Sequence, residues 1–351
     1  MNQNPSGPVI QTHQLTRTFT RHGRPVEAVR GLDLQVADGE LVAFLGPNGA
    51  GKSTTLRMLT TLIAPTSGTA EVAGHDVVRE QAAVRRAIGY VGQGNAAGHQ
   101  QRGRDEVVSQ ARAHGMRRAE ANARADELLA AFDLTEHARR PVSTLSGGQR
   151  RRLDVAIGLV HRPRLMFLDE PSTGLDPQNR VNLQEQVVRL NRELGTTVVL
   201  TTHYLEEADA IADRVIVIDH GLVIADDTAT RLKAGLGDLV SLGFTDEDDA
   251  RAAAERAARL AGATVERSGR DVAVRVAHGR DLAASLVTDL AASGVTVARI
   301  EVAGATLDDV FLDLTGRSLR ESNEHQTHDQ THDQAHEQTH DEQTEKDGVA
   351  A

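Results

Sequence analysis

GPNGAGKS at residues 46–53 fits the spacing G-x-x-x-x-G-K-[ST] without a gap. It stands between a strand-like run, LVAFLG at 41–46, and a stretch of helical spacing, STTLRMLTTLI at 53–63. Glycines let successive backbone N–H groups point into one concavity, and the N-terminus of the following helix adds its positive dipole end. The loop Gly46, Pro47, Asn48, Gly49, Ala50, Gly51, Lys52, Ser53 and Thr54 therefore suits the oxygens of a triphosphate. Lys52 supplies a point charge to the β- and γ-phosphates, and the Ser53 hydroxyl is placed to ligate Mg²⁺. A turn that only joins strand to helix needs neither side chain. Lysine is also scarce, occurring only at 52, 233 and 346 among 39 cationic residues.

LMFLDE at 165–170 reads as the second half of the site, a hydrophobic strand that delivers Asp169 to the metal and Glu170 to an attacking water. Adjacent carboxylates at the end of an apolar strand are unfavourable unless a cation and a substrate sit nearby. Taken alone, the pair also fits a helix N-terminal cap. LMFLD, TVVLTT at 197–202 and RVIVID at 214–219 are nearly continuous apolar runs, as expected of strands covered on both faces of a largely parallel sheet. Residues 9–20 and 32–36 alternate, and IGYVGQ at 88–93 holds a short strand. From about 105 to 140 the pattern is helical, with apolar Val107, Val108, Met116, Leu128, Leu129 and Phe132, and predicts a helical insertion. In the phosphate-loop helix, Leu56, Leu59 and Leu62 or Ile63 predict one face, broken by APTSG.

The chain has 351 residues, enough for two domains, and no cysteine, which excludes thiolate metal sites, thiol nucleophiles and disulfide scaffolds. No apolar run is long enough to span a membrane, and the start of the chain has the look of neither a signal peptide nor an anchor. Nine acids against Arg320 and Lys346 give residues 320–351 a net −7 of the chain's −11. Aromatics make up 2%, too few to stack on bases, so no nucleic acid partner is expected. Past residue 236 the order βαββαβ predicts a small ferredoxin-like domain. A closing helix should begin at Thr306, which with Asp309 makes a capping-box start. Leu307, Val310, Phe311 and Leu314 form its apolar stripe, which should dock onto something. The final HDQTHDQAHEQTHDEQ is low-complexity and predicts a disordered tail. Its histidines at 328, 332, 336 and 340 fit either a solvated spacer or weak metal ligands.

LSGGQ at 145–149 stands between the two phosphate motifs. The set GPNGAGKS, Gln93, LSGGQ, LMFLDEPSTGLD and His203 resembles the nucleotide-binding subunits of ATP-binding-cassette transporters over about residues 9–235. SGGQRRRLDVA (146–156), FLDEPSTGLDP (167–177), LTTHYLEEAD (200–209) and GATLDDVFLDLTGR (304–317) are similar to the daunorubicin/doxorubicin-resistance ATP-binding subunits. The resemblance implies a P-loop ATPase domain at 9–235 with a helical subdomain at about 94–160, an accessory domain at 237–318 and a tail at 320–351. It implies an aromatic contact of Phe19 with adenine, although Phe19 also reads as a core residue. Gln93 would sense metal and water and begin the segment that meets the membrane partner. Ser146, Gly147, Gly148 and Gln149 would complete the opposing chain's site, Asp176 would cross that interface, and His203 would report the γ-phosphate.

The implied function is ATP hydrolysis, with Glu170, His203, Lys52 and Gln93 as catalytic groups, driving export of a drug-like compound through a separate membrane permease. ATP and Mg²⁺ are the expected cofactors. One phosphate loop and one signature per chain imply a nucleotide-dependent dimer, most simply of two identical chains, at the cytoplasmic face of the cell membrane. Alternatives are a soluble cassette ATPase of translation or DNA repair, and a nucleotide-dependent regulator. Two departures from the pattern stand out: QGNAAGHQQRGRDEVV at 93–108 is unusually polar, with Asp105 where Glu is common, and position 203 is histidine where the drug-resistance group often has glutamine.

Overall fold

The computed structural model describes residues 7–316 except 22, 95, 96 and 99. The low-complexity tail and its histidine repeat lie outside the described residues. The chain divides into two compact units at Asp226/Asp227, earlier than the expected boundary near 236.

The first unit opens with β1 (Ile10–Arg21) and β2 (Arg24–Val36), a long antiparallel hairpin, and continues with β3 (Leu41–Leu45), α1 (Lys52–Leu59), β4 (Ser67–Val72), β5 (His75–Asp76), α2 (Gln81–Ala87) and β6 (Ile88–Val91). Helices α3 (Gly103–Ala113), α4 (Arg118–Ala131) and α5 (Gly147–Gly158) follow. The unit closes with β7 (Leu165–Asp169), α6 (Pro177–Leu194), β8 (Thr197–Thr202), α7 (Leu205–Ile211), β9 (Arg214–Asp219) and β10 (Leu222–Asp227). One sheet has the order β2-β1-β4-β5, the other β10-β9-β3-β8-β7-β6. In the second sheet β9, β3, β8, β7 and β6 are joined by parallel ladders. Every residue of β3, β7 and β8 is buried, as a parallel sheet covered on both faces requires. Ile10, Leu32, Phe44, Met58, Val72, Phe167 and Ile216 belong to the core shared by both sheets and α1.

Helix α1 is shorter than its apolar spacing predicts. It ends at Leu59 because the Thr60 hydroxyl turns back to the Leu56 carbonyl (2.8 Å) and Thr61 takes a left-handed φ of 63°. Leu62 is left exposed, while Ile63 still packs against the core. The helical insertion is also less continuous than its composition suggests, with only short 3₁₀ turns at Thr135–His137 and Val142–Thr144. Arg104 on α3 forks onto both carboxylate oxygens of Asp126 on α4, at 2.7 and 2.9 Å. Arg124 on α4 donates to the Leu159 and Val160 carbonyls, a cation at the negative end of α5. In the α5–β7 packing, Met166 reaches between Gly89 of β6 and Gly158 of α5.

The second unit holds α8 (Ala229–Ala234), β11 (Asp238–Phe244), α9 (Glu247–Ala257), β12 (Thr264–Ser268), β13 (Asp271–Val276), α10 (Gly279–Ala292), β14 (Val297–Ala303) and α11 (Leu307–Thr315). Its sheet has the order β12-β13-β11-β14 with antiparallel pairs throughout. Ala250, Ala253 and Ala257 of α9 and Leu286 and Leu290 of α10 pack against Val240, Leu242, Val272 and Val274. Asp246 caps α9, and Thr306 with Asp309 forms the reciprocal cap of α11. Leu307, Val310 and Phe311 are buried and α11 packs on α8, but Leu314 at the end of the stripe is 44% exposed.

A Cβ built at Gly89 lies 2.4 Å from Met166 Sδ and 2.5 Å from the Gly158 carbonyl oxygen, and that carbonyl cannot swing away. A Cβ at Gly158 meets chiefly the flexible Met166 methyl, at 2.5 Å. Gly89→Ala is therefore expected to lower stability by about 1–3 kcal/mol. Gly158→Ala should be much closer to neutral, because alanine favours the helix by about 1 kcal/mol. Chemical denaturation of both variants checks the contrast, and equal losses would contradict it.

Candidate active site

Strands β3, β7 and β8 run parallel in register, with Leu45 beside Thr202 and Asp169 beside Thr201. Their C-terminal ends therefore deliver the glycine loop, the carboxylate pair and His203 to one edge of the sheet, where open α/β sheets place their ligands. The cleft there has a volume of about 290 Å³ and is lined by Asn48, Gly49, Gly51, Lys52, Ser53, Thr54, Gln93 and Glu170.

The loop needs its glycines for separate reasons. A Cβ at Gly46 would sit 2.0 Å from the Ile218 carbonyl oxygen. Gly51, at φ 107°, would press one to 2.5 Å from the Ala28 carbonyl oxygen. Lys52 follows directly and is 3% exposed. Its Nζ donates to the carbonyls of Gly46 (2.7 Å) and Pro47 (2.8 Å), which leaves one of its three donors for a ligand. Burial lowers its pKa to about 8, against the opposing pull of the Glu170 and Asp169 carboxylates.

Asp169 is fully buried. Its Oδ1 accepts from the Ser53 hydroxyl (2.7 Å) and the Thr201 hydroxyl (2.7 Å), whereas Oδ2 has no partner. Gln93 Nε2 donates to Ser53 Oγ at 3.3 Å. Glu170 adopts a left-handed φ of 45°, a conformation that costs roughly 1–2 kcal/mol for a side chain with a Cβ. The turn swings its carboxylate out of line with the strand. The Glu170 N–H donates to Thr201 Oγ1 (2.9 Å), and Thr173 Oγ1 donates to Glu170 Oε2 (3.1 Å). His203 Nδ1 lies 3.6 Å from the same oxygen, an ion-pair distance just beyond hydrogen bonding. Burial pushes the Glu170 carboxyl up, but His203, Lys52 and Thr173 together outweigh it and hold the group below its ordinary value. Glu170 is thus an ionised acceptor at neutral pH.

The other residues singled out by sequence stand apart from this cleft. Ser146 caps α5: its Oγ accepts from the Gln149 N–H (3.2 Å) and its own N–H donates to Gln149 Oε1 (3.0 Å). Asp176 caps α6 and holds the Asn179 N–H (2.9 Å) and Nδ2 (2.6 Å). A Cβ at Gly148 would lie 2.4 Å from Asn179 Cγ, so these two helix N-termini press together. Ser146, Gly147 and Asp176 are exposed. Phe19 lies on β1, 36% exposed, with the Arg17 guanidinium 4.5 Å from its ring.

Several contributors were not visible as motifs. Thr201 reads as strand filler, yet its hydroxyl bridges Asp169 and the Glu170 backbone. Arg151, inside an arginine run, is buried and clamps three backbone carbonyls: Gly92 (2.6 Å), Pro171 (2.8 Å) and Asp169 (3.0 Å). It thereby fixes α5 to the backbone on either side of the carboxylate pair and just before Gln93. Glu106, next to Asp105, turns in to accept from the Gly98 N–H at 3.1 Å.

Residues 29–173 match the ABC transporter family. The chain is 45% identical over 295 residues to the daunorubicin resistance ATP-binding protein DrrA3 of Streptomyces coeruleorubidus, covering 84% of this chain and 93% of that one. It is 43% identical over 335 residues to the daunorubicin/doxorubicin resistance ATP-binding protein DrrA of Streptomyces peucetius, covering 93% and 99%. It is 35% identical to the linearmycin resistance ATP-binding protein LnrL of Bacillus subtilis over 84% and 95%. Among solved structures, the ATP-binding cassette MJ0796, seen as a dimer in a post-hydrolysis state with ADP and phosphate, superposes with a TM-score of 0.58 at 27% identity. That match covers 62% of this chain and 98% of the other.

The Lys52 environment sets a pH dependence. With its pKa near 8 in the free protein, Lys52 would take up a proton on ATP binding around that pH if it meets the triphosphate, which would raise that value. Affinity should be flat below about pH 7 and weaken by up to about tenfold per unit above pH 8. Titration calorimetry in buffers of different ionisation heat measures both the proton uptake and the slope. Constant affinity from pH 7 to 9.5 would contradict the assignment.

Proposed function

The chain belongs to the ABC transporter family as one of its ATP-binding, ATP-hydrolysing subunits, and we propose that it powers export of an antibiotic-like small molecule through a separate membrane permease. Identity to resistance ATP-binding proteins across more than four-fifths of this chain supports that reading and leaves the soluble-ATPase and regulator alternatives without support. No helix among the described residues is long and apolar enough to cross a membrane, so the pore would be another protein. The working position would be the cytoplasmic face of the membrane.

The observation that carries the hydrolytic reading is the ionised Glu170 carboxylate held 3.6 Å from His203 at the mouth of the glycine-loop cleft. Loop N–H groups and Lys52 bind the phosphates. Glu170 accepts a hydrogen bond from the attacking water and orients it, and His203 faces the terminal phosphate. The groups around Ser53 fit Mg²⁺: the Ser53 hydroxyl and the unpartnered Asp169 Oδ2 are hard ligands, Gln93, whose Nε2 faces Ser53, would present its oxygen on turning its amide over, and the phosphates would supply the rest. When bound, that ion supplies charge neutralisation of the phosphates. Phe19 offers the adenine its ring. Ser146, Gly147, Gly148, Gln149 and Asp176, at two adjacent helix N-termini facing away from the cleft, serve the site of a second copy of this chain. The dimer captured for the cassette MJ0796 is in keeping with such a pairing.

The second unit reads as a ferredoxin-like accessory domain, from its βαββαβ order and the strand order β12-β13-β11-β14. No catalytic cluster marks it among the described residues, and its role is assembly with the membrane subunit. Truncation after Leu236 should leave ATP affinity within about twofold and reduce co-purification of the permease, and undiminished co-purification would argue against this role.

Glu170→Gln is the direct test of the hydrolytic reading. The expected outcome is ATP binding near the parent's affinity with steady-state turnover lower by at least about 100-fold. Parent-rate hydrolysis by that variant would remove Glu170 from the mechanism.

A further inference from the structure

Glu207, in the first turn of α7, is 2% exposed and takes no part in the cleft described above. An ionisable carboxyl at this depth requires a partner, and it has one on a separate element. Ser172 Oγ, itself buried, donates to Glu207 Oε2 at 2.9 Å. The Thr202 hydroxyl, also buried, accepts the Tyr204 N–H at 2.9 Å and so holds the start of α7 to the strand end. Ser172 lies two residues beyond Glu170, and α7 begins two residues after His203. One carboxylate therefore joins the loop that leaves the hydrolytic glutamate to the helix that follows the histidine.

The surroundings reinforce this joint. The Arg180 guanidinium, near the start of α6, lies 4.0 Å over the Tyr204 ring, and that ring sits 4.2 Å from the His203 imidazole. Arg180 also places positive charge toward Glu207. Burial still leaves the carboxyl above its ordinary value, against the pull of Ser172 and Arg180. A group kept there against its own desolvation is maintained by the geometry it enforces, since an apolar residue would fill the same space more cheaply.

We propose that Glu207 is a positioning residue for hydrolysis: by holding Ser172 against the first turn of α7 it sets the separation of Glu170 and His203. This rests on the reading of Glu170 and His203 as the hydrolytic pair. Misplacement of a reacting group by about an ångström lowers rates on the order of a hundredfold while leaving binding contacts intact. The phosphate loop shares no side chain with this joint, so nucleotide affinity should be untouched.

The test uses the full chain, measuring single-turnover ATP hydrolysis, equilibrium binding of a fluorescent ATP analogue and thermal melting. Glu207→Ala is expected to slow hydrolysis on the order of tenfold to a hundredfold with the dissociation constant within about twofold of the parent. Glu207→Gln, which keeps an acceptor oxygen in the same place, should recover much of that rate. Combining Ser172→Ala with Glu207→Ala should slow the enzyme no further than Glu207→Ala alone, because both remove one link. Parent-like hydrolysis by Glu207→Ala, fully multiplicative losses in the double variant, or rate and affinity falling together would overturn the proposal. Should Glu207→Ala not fold, Ser172→Ala carries the same expectation, and parent-rate hydrolysis by it would be equally decisive. Glu170→Gln runs alongside: its failure to hydrolyse beside an active Glu207→Ala discards only Glu207, whereas an active Glu170→Gln discards the underlying pair.

Discussion

Burying the Asp169 carboxylate at the end of a hydrophobic strand is the constraint around which the first unit is organised. An ionised group with no solvent is tolerated only if its oxygens meet donors or a cation. The Ser53 hydroxyl comes from the phosphate-loop helix and the Thr201 hydroxyl from the neighbouring strand, while Arg151 of α5 holds the same residue's backbone carbonyl. Three elements distant in sequence are thus tied at one residue. The remaining oxygen, Oδ2, is left for the nucleotide's counter-ion in the proposed mechanism.

Much of this was legible beforehand. The loop at 46–53, the strands ending at Leu45, Asp169 and Thr202, and the cap at Thr306 all follow from local rules: a spacing, an apolar run, or a side chain meeting a backbone N–H three residues on. What escaped has the opposite character. Thr201, Arg151 and Glu207 act through contacts across the fold, and no periodicity announces which threonine, arginine or glutamate in a run will turn inward. The end of α1 was misjudged because apolar spacing continues to Ile63 while the Thr60–Thr61 pair has already closed the helix. Leu314 likewise continues a stripe on paper but is left exposed.

The site residues separate into two groups with different surroundings. Lys52, Ser53, Gln93, Asp169, Glu170 and His203 face one another within a single chain. Ser146, Gly147 and Asp176 are exposed at two neighbouring helix N-termini, α5 capped by the Ser146 hydroxyl and α6 by the Asp176 carboxylate. In the proposed reading, this division makes turnover conditional on the meeting of two copies. The Arg151 clamp gives the outward group a mechanical connection to the inward one, because the same helix that displays Ser146 grips the backbone beside Asp169 and Gln93.

The left-handed backbone at Glu170 carries a consequence of its own. Glycine or asparagine would occupy that conformation with less strain, so selection for heat tolerance alone would drive the position away from glutamate. In the proposed mechanism, a screen that rewarded only durability would then recover robust proteins that no longer turn over ATP. At this one residue, endurance and output are opposed.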